Sequence, residues 1–356
     1  MITAIPTAED FTRAAVSLLH LAWRSAITAI EEWDEIAFLY SDDEDQQDPA
    51  PTSSRDRARR AMLKRRQISL GNTLSLIQQA VEHALKGRIA AVSPFLLIVR
   101  DSRDSPPKAR ATEVDFSEFR TIDAVDLARI HDMVCAERLP PTFDTWWNAL
   151  RKRRNTYMHS VRAGRIEVEP TELLQLVLKV NAVLLPGANW IKRRLEELRA
   201  PEEEPISDLY EEAPSEDYPL TWIMGEIEIA LRSLTPAEAK LYFDFDTKRH
   251  AYYCPHCFST VDHEAFRNVA GGTPALATLI DKNPACTYLR CIVCEEITPA
   301  TRTSCTDPEC GGNVLSAEPG TMGMCCLCGR DAEQIVEQAK RQADQETRMA
   351  GGWKNS

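Results

Sequence analysis

The sequence predicts a mainly α-helical protein whose last third is a small, cysteine-rich domain of β hairpins. Through most of the first 200 residues, apolar side chains recur at steps of three and four, which is the spacing of helices packed in a bundle. Ten of the eleven cysteines lie between residues 254 and 328. With 356 residues, of which 44% are hydrophobic, the chain is long enough for two domains and a genuine core.

The predicted helical domain spans residues 1–200, with its core at about 60–200. Residues 7–40 have the pattern of one long helix, whose core-facing residues are expected to be Ala15, Leu18, Leu19, Ala22, Ile27 and Ile30. An acidic stretch at 41–54 then predicts a loop. Residues 70–86 predict a second long helix, and its core-facing stripe would consist of Leu70, Leu74, Ile77, Val81, Leu85 and Ile89.

A third helix is predicted between two prolines and a glycine. Pro140, Pro141 and Asp144 are start signals, and Gly164 is a stop signal. The helical period places Trp146, Leu150, Tyr157 and Val161 on an apolar stripe. It places on a polar stripe Asn148, Lys152, Asn155, His159 and Arg162. Two further helices are expected at 171–185 and 191–198, so that the first 200 residues would be all-α.

Arg154 and His159 are the candidate catalytic residues of this third helix. They lie about 140° apart around the helix axis, yet the long guanidinium can still reach a phosphate that the imidazole also contacts. Arginine donors match phosphate oxygens, and the unperturbed histidine pKa lies near neutrality. The two groups therefore suit metal-free acid/base attack on a phosphodiester. The alternative is a solvated basic face at 151–154 and a histidine on the surface or in the core.

An Arg-Asn pair followed after three residues by a His, late in a helical bundle, resembles the signature of the HEPN superfamily. Its R-x4-6-H motif marks many metal-independent ribonucleases. Residues 70–86 resemble the first long core helix of these domains, and the segment 93–97 is also similar. The resemblance covers about residues 60–200.

The resemblance implies an endoribonuclease that cleaves RNA by attack of the 2′-hydroxyl group and leaves a cyclic phosphate. Arg154 would bind and stabilise the phosphate, His159 would handle the 2′-hydroxyl proton, and Asn155 would orient the pair. The expected substrate-binding residues are Lys152, Arg151, Arg162 and Glu82, the last from the partner helix. Such proteins are prokaryotic toxins or antiviral effectors, which implies restraint by an antitoxin or sensor protein.

Two further expectations follow from the same resemblance. Family members usually dimerise so that two motifs face each other, which implies a homodimer. The branch paired with nucleotidyltransferase antitoxins has a tyrosine two residues after the histidine. Here Ser160 and Val161 follow His159, which puts control by tyrosine modification in doubt.

The charge distribution and the hydropathy of the sequence restrict which partners and which cellular location we expect. The net charge of −12 argues against a simple electrostatic RNA binder. However, residues 55–66 and 151–154 are strongly basic, and the acidic residues are concentrated at 31–48 and 196–217. The apolar run at 16–23 is too short for a signal peptide or a membrane span, so we expect a cytoplasmic protein without a membrane partner.

The cysteines of the last third predict two structural zinc ions in a double zinc ribbon. Thiolate pairs two residues apart converge on one tetrahedral ion, and a chain without an export signal is not expected to form disulfides. The predicted ligands are Cys254, Cys257, Cys291, Cys294, Cys305, Cys310, Cys325 and Cys328. Eight thiolates make two closed sites, so no catalytic metal is expected.

The pairing of these ligands has two solutions. Sequential pairing places the first four cysteines on one ion and the last four on the other. A nested arrangement places Cys291, Cys294, Cys305 and Cys310 on one ion and the outer pairs on the other. His256 and His263 are possible substitute ligands, and the remaining thiols are those of Cys135, Cys286 and Cys326.

Around the ribbon domain, predicted at 241–330, the sequence predicts an acidic linker at 201–218 and a connecting helix at 219–240. Residues 241–246 alternate like a strand, and a polar helix and tail follow at 331–356. Zinc ribbons serve either as a small core or as a contact surface. The alternative function is therefore a non-catalytic RNA- or protein-binding module.

Overall fold

The computed structural model describes residues 1–39, 54–99, 113–159, 167–200, 218–261, 263–266 and 272–335, without the side chains of 37–39, 54–55 and 159. The predicted loop at 41–54, apart from its last residue, lies outside these ranges, as do the linker at 201–217 and the tail beyond 335. The chain forms two compact units, Met1–Trp190 and Ile191–Ser356. It is mainly helical, with a small antiparallel sheet, as the sequence predicts.

Two long helices form the frame of the first unit. Helix α1 (Ala8–Leu39) packs along α2 (Ser54–Val92), which begins well before the predicted start. All six residues of the predicted α2 stripe are fully buried, and five of the six predicted for α1 are buried, Leu18 being half-buried. The α1 core also includes Trp23, whose ring lies 5.3 Å from that of Trp190.

The first unit is not entirely helical, contrary to the sequence prediction. Strand β1 (Ile2–Thr3) pairs in parallel with β2 (Val114–Asp115), with Ile2 opposite Val114. A 3₁₀ turn at Pro94–Leu97 follows α2, and a second turn at Phe116–Glu118 precedes α3 (Leu127–Val134). The strands are two residues long, too short to produce a periodic signal in the sequence.

The predicted third helix is α4 (Phe143–His159), followed by α5 (Pro170–Leu184) and α6 (Trp190–Arg199). On α4, Leu150 is buried as predicted, but the buried tryptophan is one residue away from the predicted one. Trp147 is buried and donates its indole N–H to the Ala124 carbonyl at 3.1 Å, whereas Trp146 is half-buried beneath the Lys179 ammonium group. Both tryptophans are apolar, and Trp147 can be the buried one because its indole N–H has a hydrogen-bond acceptor in the core.

Helix α4 is fixed against α2 at a close approach of backbone and ring. The Tyr157 ring lies over Gly71, where a Cβ would be only 1.9 Å from the ring. The Tyr157 hydroxyl donates to the Gln67 carbonyl at 2.7 Å. A side chain at position 71 would push the ring away, so this glycine is required for the α2–α4 contact.

The second unit begins with helices. Helix α7 (Tyr218–Ser233) confirms the predicted connecting helix. Its Glu226 accepts three guanidinium hydrogen bonds from Arg194 of α6 and one from the Trp222 indole at 2.9 Å. Because Arg194 and Glu226 are both buried, this ion pair is well shielded from water.

The strand predicted at 241–246 is wrong, because helix α8 (Pro236–Phe243) occupies its first three residues and the other three are not in a strand. Thr235 caps the helix by accepting from the Glu238 N–H, while the Glu238 carboxylate accepts from Thr235. Asp244 ends the helix in the left-handed region at φ 52°. This capping box outweighs the short apolar alternation that favoured a strand.

The cysteine-rich part of the second unit contains the predicted hairpins. Helix α9 (Pro255–Thr260) precedes β3 (Ala277–Leu279), β4 (Tyr288–Cys291), β5 (Ile297–Thr301) and β6 (Leu315–Ser316). The four strands form an antiparallel sheet in chain order. Leu279 pairs with Leu289, Arg290 with Ile297, and Thr301 with Leu315. Across the described parts of both units, no helix is long and apolar enough to traverse a lipid bilayer.

Candidate metal centres and the motif arginine

The first cluster consists of Cys254, Cys257, Cys291 and Cys294. Cys254 and Cys257 come from the start of α9, Cys291 ends β4, and Cys294 lies in the following turn. The four sulfur atoms lie within 4.8 Å of one another, with Cys254 and Cys294 separated by 3.7 Å and Cys257 and Cys291 by 3.8 Å. Four sulfurs bound tetrahedrally at about 2.3 Å would be about 3.8 Å apart, so one ion fits.

The second cluster consists of Cys305, Cys310, Cys325 and Cys328, on the turns that flank β6. The Sγ atoms of Cys305 and Cys328 are 3.9 Å apart, and those of Cys310 and Cys325 are 3.8 Å apart. These distances fit the same tetrahedral geometry. The structure thus brings together the eight predicted ligands in the sequential pairing, and the nested set does not form.

Backbone N–H groups point at sulfur in both clusters. In the first, the Val293 N–H donates to Cys291 at 3.3 Å. In the second, the Asp307 N–H donates to Cys305 and the Gly312 N–H to Cys310, each at 3.4 Å. Such donors stabilise thiolates over thiols, and the thiolate is the form that binds a metal ion.

Without a cation, the four sulfurs of a cluster do not all ionise, because neighbouring thiolates repel one another. Hydrogen bonding to Cys254 and burial raise the pKa of Cys257 well above its usual value. Burial likewise raises the pKa of Cys310 and Cys325 in the second cluster. A bound divalent ion would supply the positive charge that lets these thiols lose their protons.

Gly312 shows how closely the second cluster is packed. A Cβ at this position would lie 2.6 Å from the Cys325 sulfur and 3.2 Å from the Cys310 sulfur. A Cβ at the neighbouring Gly311 would have no atom within 4 Å. The packing around the metal ligands therefore requires a glycine at position 312 but not at position 311.

Arg330 and Asp307 flank the second cluster, and the sequence interpretation missed both. Arg330 forms an ion pair with Asp307, which is buried, and a hydrogen bond to Cys328 raises the pKa of the guanidinium. Asp307 also accepts from the Glu309 N–H at 3.0 Å. The guanidinium thus places a positive charge beside a sulfur ligand, while the carboxylate orients it.

The predicted substitutes and spare thiols lie outside both clusters. The His263 ring packs on Phe258, with its Nδ1 2.9 Å from the Thr273 hydroxyl, and His256 is exposed. Burial raises the pKa of Cys326 to about 12, so this thiol is a neutral core group. Cys135 and Cys286 are half-buried and belong to neither group of four.

Arg154 lies on the same stripe of α4 as two buried residues: Leu150 is four residues before it, and Trp147 is three residues before Leu150. Its Nε atom is buried without a hydrogen-bond partner among the described residues. Nη1 donates to the Asn155 side chain at 3.2 Å, and Arg154 forms no ion pair with any described carboxylate. His159 is the last described residue of the helix, and its side chain lies outside the described part, as does all of Arg162.

The other basic residues of α4 have varied surroundings. Arg153 pairs with Glu172, and Arg151 donates to Asn148 at 3.1 Å while its guanidinium lies over the Trp147 ring. Lys152 is exposed. Among these α4 cations, only Arg153 has a carboxylate partner within the described residues, and Arg154 differs from Arg151 and Lys152 in having a buried nitrogen without a hydrogen-bond partner.

On α2, two basic residues of the 55–66 run are paired with carboxylates, Arg59 with Glu169 at 3.1 Å and Arg66 with Glu32. The local positive charge there is therefore lower than the sequence suggests. Glu82, also on α2, is half-buried and accepts from Gln78 at 2.7 Å.

Comparisons of this chain with protein-family models, with curated proteins and with solved structures found no match.

Proposed function

We propose that the protein is a metal-independent endoribonuclease of the HEPN type and that its two cysteine clusters hold structural zinc. The observation that supports the activity is the half-buried Arg154, whose Nε atom has no hydrogen-bond partner and whose guanidinium has no carboxylate partner among the described residues. A buried donor without an acceptor is costly, and a phosphate oxygen would satisfy it. The same helix has the Arg and His spacing of the family motif.

In the proposed reaction, Arg154 binds a non-bridging phosphate oxygen and stabilises the charge that develops in the transition state. His159 removes the 2′-hydroxyl proton, and the 2′ oxygen forms a bond to phosphorus. The bond to the 5′ oxygen breaks, and that oxygen leaves with a proton. The products are a 2′,3′-cyclic phosphate and a 5′-hydroxyl end. Asn155 orients the guanidinium through the hydrogen bond that joins them.

The proposal extends to assembly and biological role by analogy with the family. Two copies would face each other so that both motifs border one RNA-binding cleft, with Lys152, Arg151, Arg162 and Glu82 as further contacts. A cytoplasmic nuclease of this kind acts as a toxin or antiviral effector. An antitoxin or sensor protein would restrain it, because unrestrained cleavage harms the host cell.

Zinc is the ion that best suits the clusters. A closed set of four thiolates is typical of structural zinc, although tetrahedral sulfur ligands also bind iron. Elemental analysis of the purified chain should find two zinc ions per chain. Iron in a comparable amount, or a single bound ion, would contradict the assignment.

The activity is tested with the zinc-loaded full chain and total RNA, in a chelator concentration that removes free metal ions and leaves the protein zinc in place. Arg154→Ala should lower the cleavage rate at least about 100-fold, as loss of a transition-state donor does. His159→Ala should have an effect of similar size. The control is Arg129→Ala, which removes an exposed arginine paired with Asp126 at 3.1 Å and should leave cleavage unchanged.

Each outcome separates the two functional classes. Cyclic-phosphate ends that disappear with Arg154→Ala support the nuclease. Intact RNA with folded, zinc-loaded wild-type protein contradicts it. If that RNA is nevertheless bound, the non-catalytic binding module becomes the better description.

A further inference from the structure

A pocket in the second unit has the charge of an anion-binding site. It has a volume of about 490 Å³ and lies between the chain that follows α8, the β3–β4 connection and the end of β5. Its charged lining residues are Asp246, Lys248, Arg249, Asp281, Lys282 and Arg302. It is separate from the eight cysteine ligands, none of which lines it.

The two carboxylates of the pocket form no ion pair with its cations. Asp246 accepts from the Lys248 backbone N–H at 3.1 Å, and Asp281 accepts from the Asn283 N–H at 2.6 Å. Both therefore stabilise turns of their own loops. Among the described residues, none of the four lysines and arginines of the pocket forms an ion pair.

Arg249 stabilises the wall of the pocket. Its Nη2 atom donates to the carbonyl oxygens of Leu279 and Asp281, the latter at 2.8 Å. These bonds hold the end of β3 and the following loop in place. The guanidinium charge persists, because a carbonyl oxygen has no formal charge to offset it.

Arg302 has an unused donor. Its Nη1 atom is buried and has no hydrogen-bond partner among the described residues. Leaving such a group without an acceptor costs roughly 1–3 kcal/mol, so an anionic oxygen at this position would be stabilising. The planar guanidinium is suited to two phosphate oxygens at once.

We propose that this pocket binds the phosphate group of a nucleotide, either free or within an RNA chain. Four cations against two carboxylates give the pocket lining an excess of two positive charges, which favours a multiply charged anion over a single carboxylate. The volume is within the range of small-ligand sites, about 300–1,000 Å³. At the pocket wall, the His250 ring meets buried Tyr252 edge to face at 4.7 Å between centroids, and because His250 is exposed, a base can stack on it.

Binding is measured with the zinc-loaded full chain and a fluorescent 2′-fluoro oligouridylate, which lacks the hydroxyl that the proposed cleavage requires. A second titration uses adenosine monophosphate, with inorganic phosphate as competitor. Arg302→Gln should weaken binding about 10-fold and Lys282→Gln about 3-fold. For the oligonucleotide, each lost phosphate contact should reduce the salt slope by about 0.7.

The matched control is Arg290→Gln on β4, which removes the same charge from an exposed arginine already paired with Asp244 at 2.9 Å. It should leave both titrations unchanged within about twofold, because exposed ion pairs contribute little. Zinc content and the circular dichroism spectrum confirm that each variant folds. A variant that does not fold is replaced by Arg302→Lys, which keeps the charge but loses the planar pair of donors.

The outcomes distinguish the two phosphate sources. Monophosphate binding that depends on Arg302 identifies a free nucleotide, and dependence in the oligonucleotide titration alone identifies an RNA chain. The proposal is overturned if Arg302→Gln weakens neither ligand more than Arg290→Gln does. Because this readout is binding of uncleavable RNA, it is independent of whether Arg154 and His159 cleave RNA.

Discussion

The two cysteine clusters have the same four ligands and nearly the same sulfur spacing, yet different surroundings. In the first, Cys254, Cys257 and Cys291 are buried where α9 meets the sheet. In the second, Cys325 is the buried ligand and the other three are half-buried. The first is therefore supported by packing and the second by short turns and by Arg330.

This difference shows that one metal-binding chemistry is compatible with two kinds of support. A ligand set inside a packed core is coupled to the folding of that core, because metal binding and folding then share one free energy. A half-buried ligand set depends more on local geometry and charge. Substitutions in the two clusters should accordingly have consequences of different size.

The largest effect is expected from a ligand of the first cluster. Cys257→Ser should lose one zinc ion and destabilise the second unit by several kcal/mol, on the order of 5, because the fully buried sulfur is both ligand and core group. Cys305→Ser should also lose one ion but lower the unfolding free energy by about half as much. Zinc stoichiometry and denaturant unfolding measure the two quantities.

Cys286→Ser is the control for this pair, since it makes the same chemical change at a half-buried thiol outside both clusters. It should retain two zinc ions and near wild-type stability. Equal destabilisation by Cys257→Ser and Cys305→Ser would refute the distinction between the packed first cluster and the half-buried second one.

A smaller effect is expected at the two adjacent glycines of the second cluster. Gly312→Ala places a methyl group against two ligand sulfurs and should destabilise the metal-bound state by about 2 kcal/mol, as overpacking does. Gly311→Ala adds the same methyl group in open space and should be neutral or slightly stabilising. Chelator competition compares their zinc affinities, and similar affinities would contradict the role of Gly312.

The two units also differ in how much of their candidate site can be predicted from the sequence: the cysteine clusters in the second unit and the α4 motif in the first. For the clusters, ligand identity follows from cysteines two residues apart, since their spacing is itself the local geometry. Arg330 and Asp307 each lie two residues from a ligand cysteine, but the ion pair between them joins positions 23 residues apart and was missed because it depends on the turns that close the cluster. Ligand spacing is a local property, whereas this ion pair is a tertiary one.

In the helical unit, the period predicts the α2 stripe completely because α2 is long and its stripe is wholly apolar. Helix α4 is shorter, and its adjacent tryptophans make the period ambiguous by one residue. The motif spacing therefore places Arg154 along the helix but does not show that its Nε atom is buried. The close approach of Tyr157 to Gly71, which fixes α4 against α2, joins distant parts of the chain and has no periodic signal in the sequence.

The smallest effect is expected from the charge beside the second cluster. Arg330→Gln keeps a hydrogen-bond donor but removes the cation next to Cys328, so zinc should leave the second cluster about 3- to 10-fold faster in excess chelator. The first cluster should be unaffected, because the groups that influence its cysteine pKa values are its own sulfurs and backbone. Two release phases, of which only the faster one responds to the substitution, would separate the charge-supported cluster from the packed one. A uniform change in both phases would mean that Arg330 stabilises the whole unit instead.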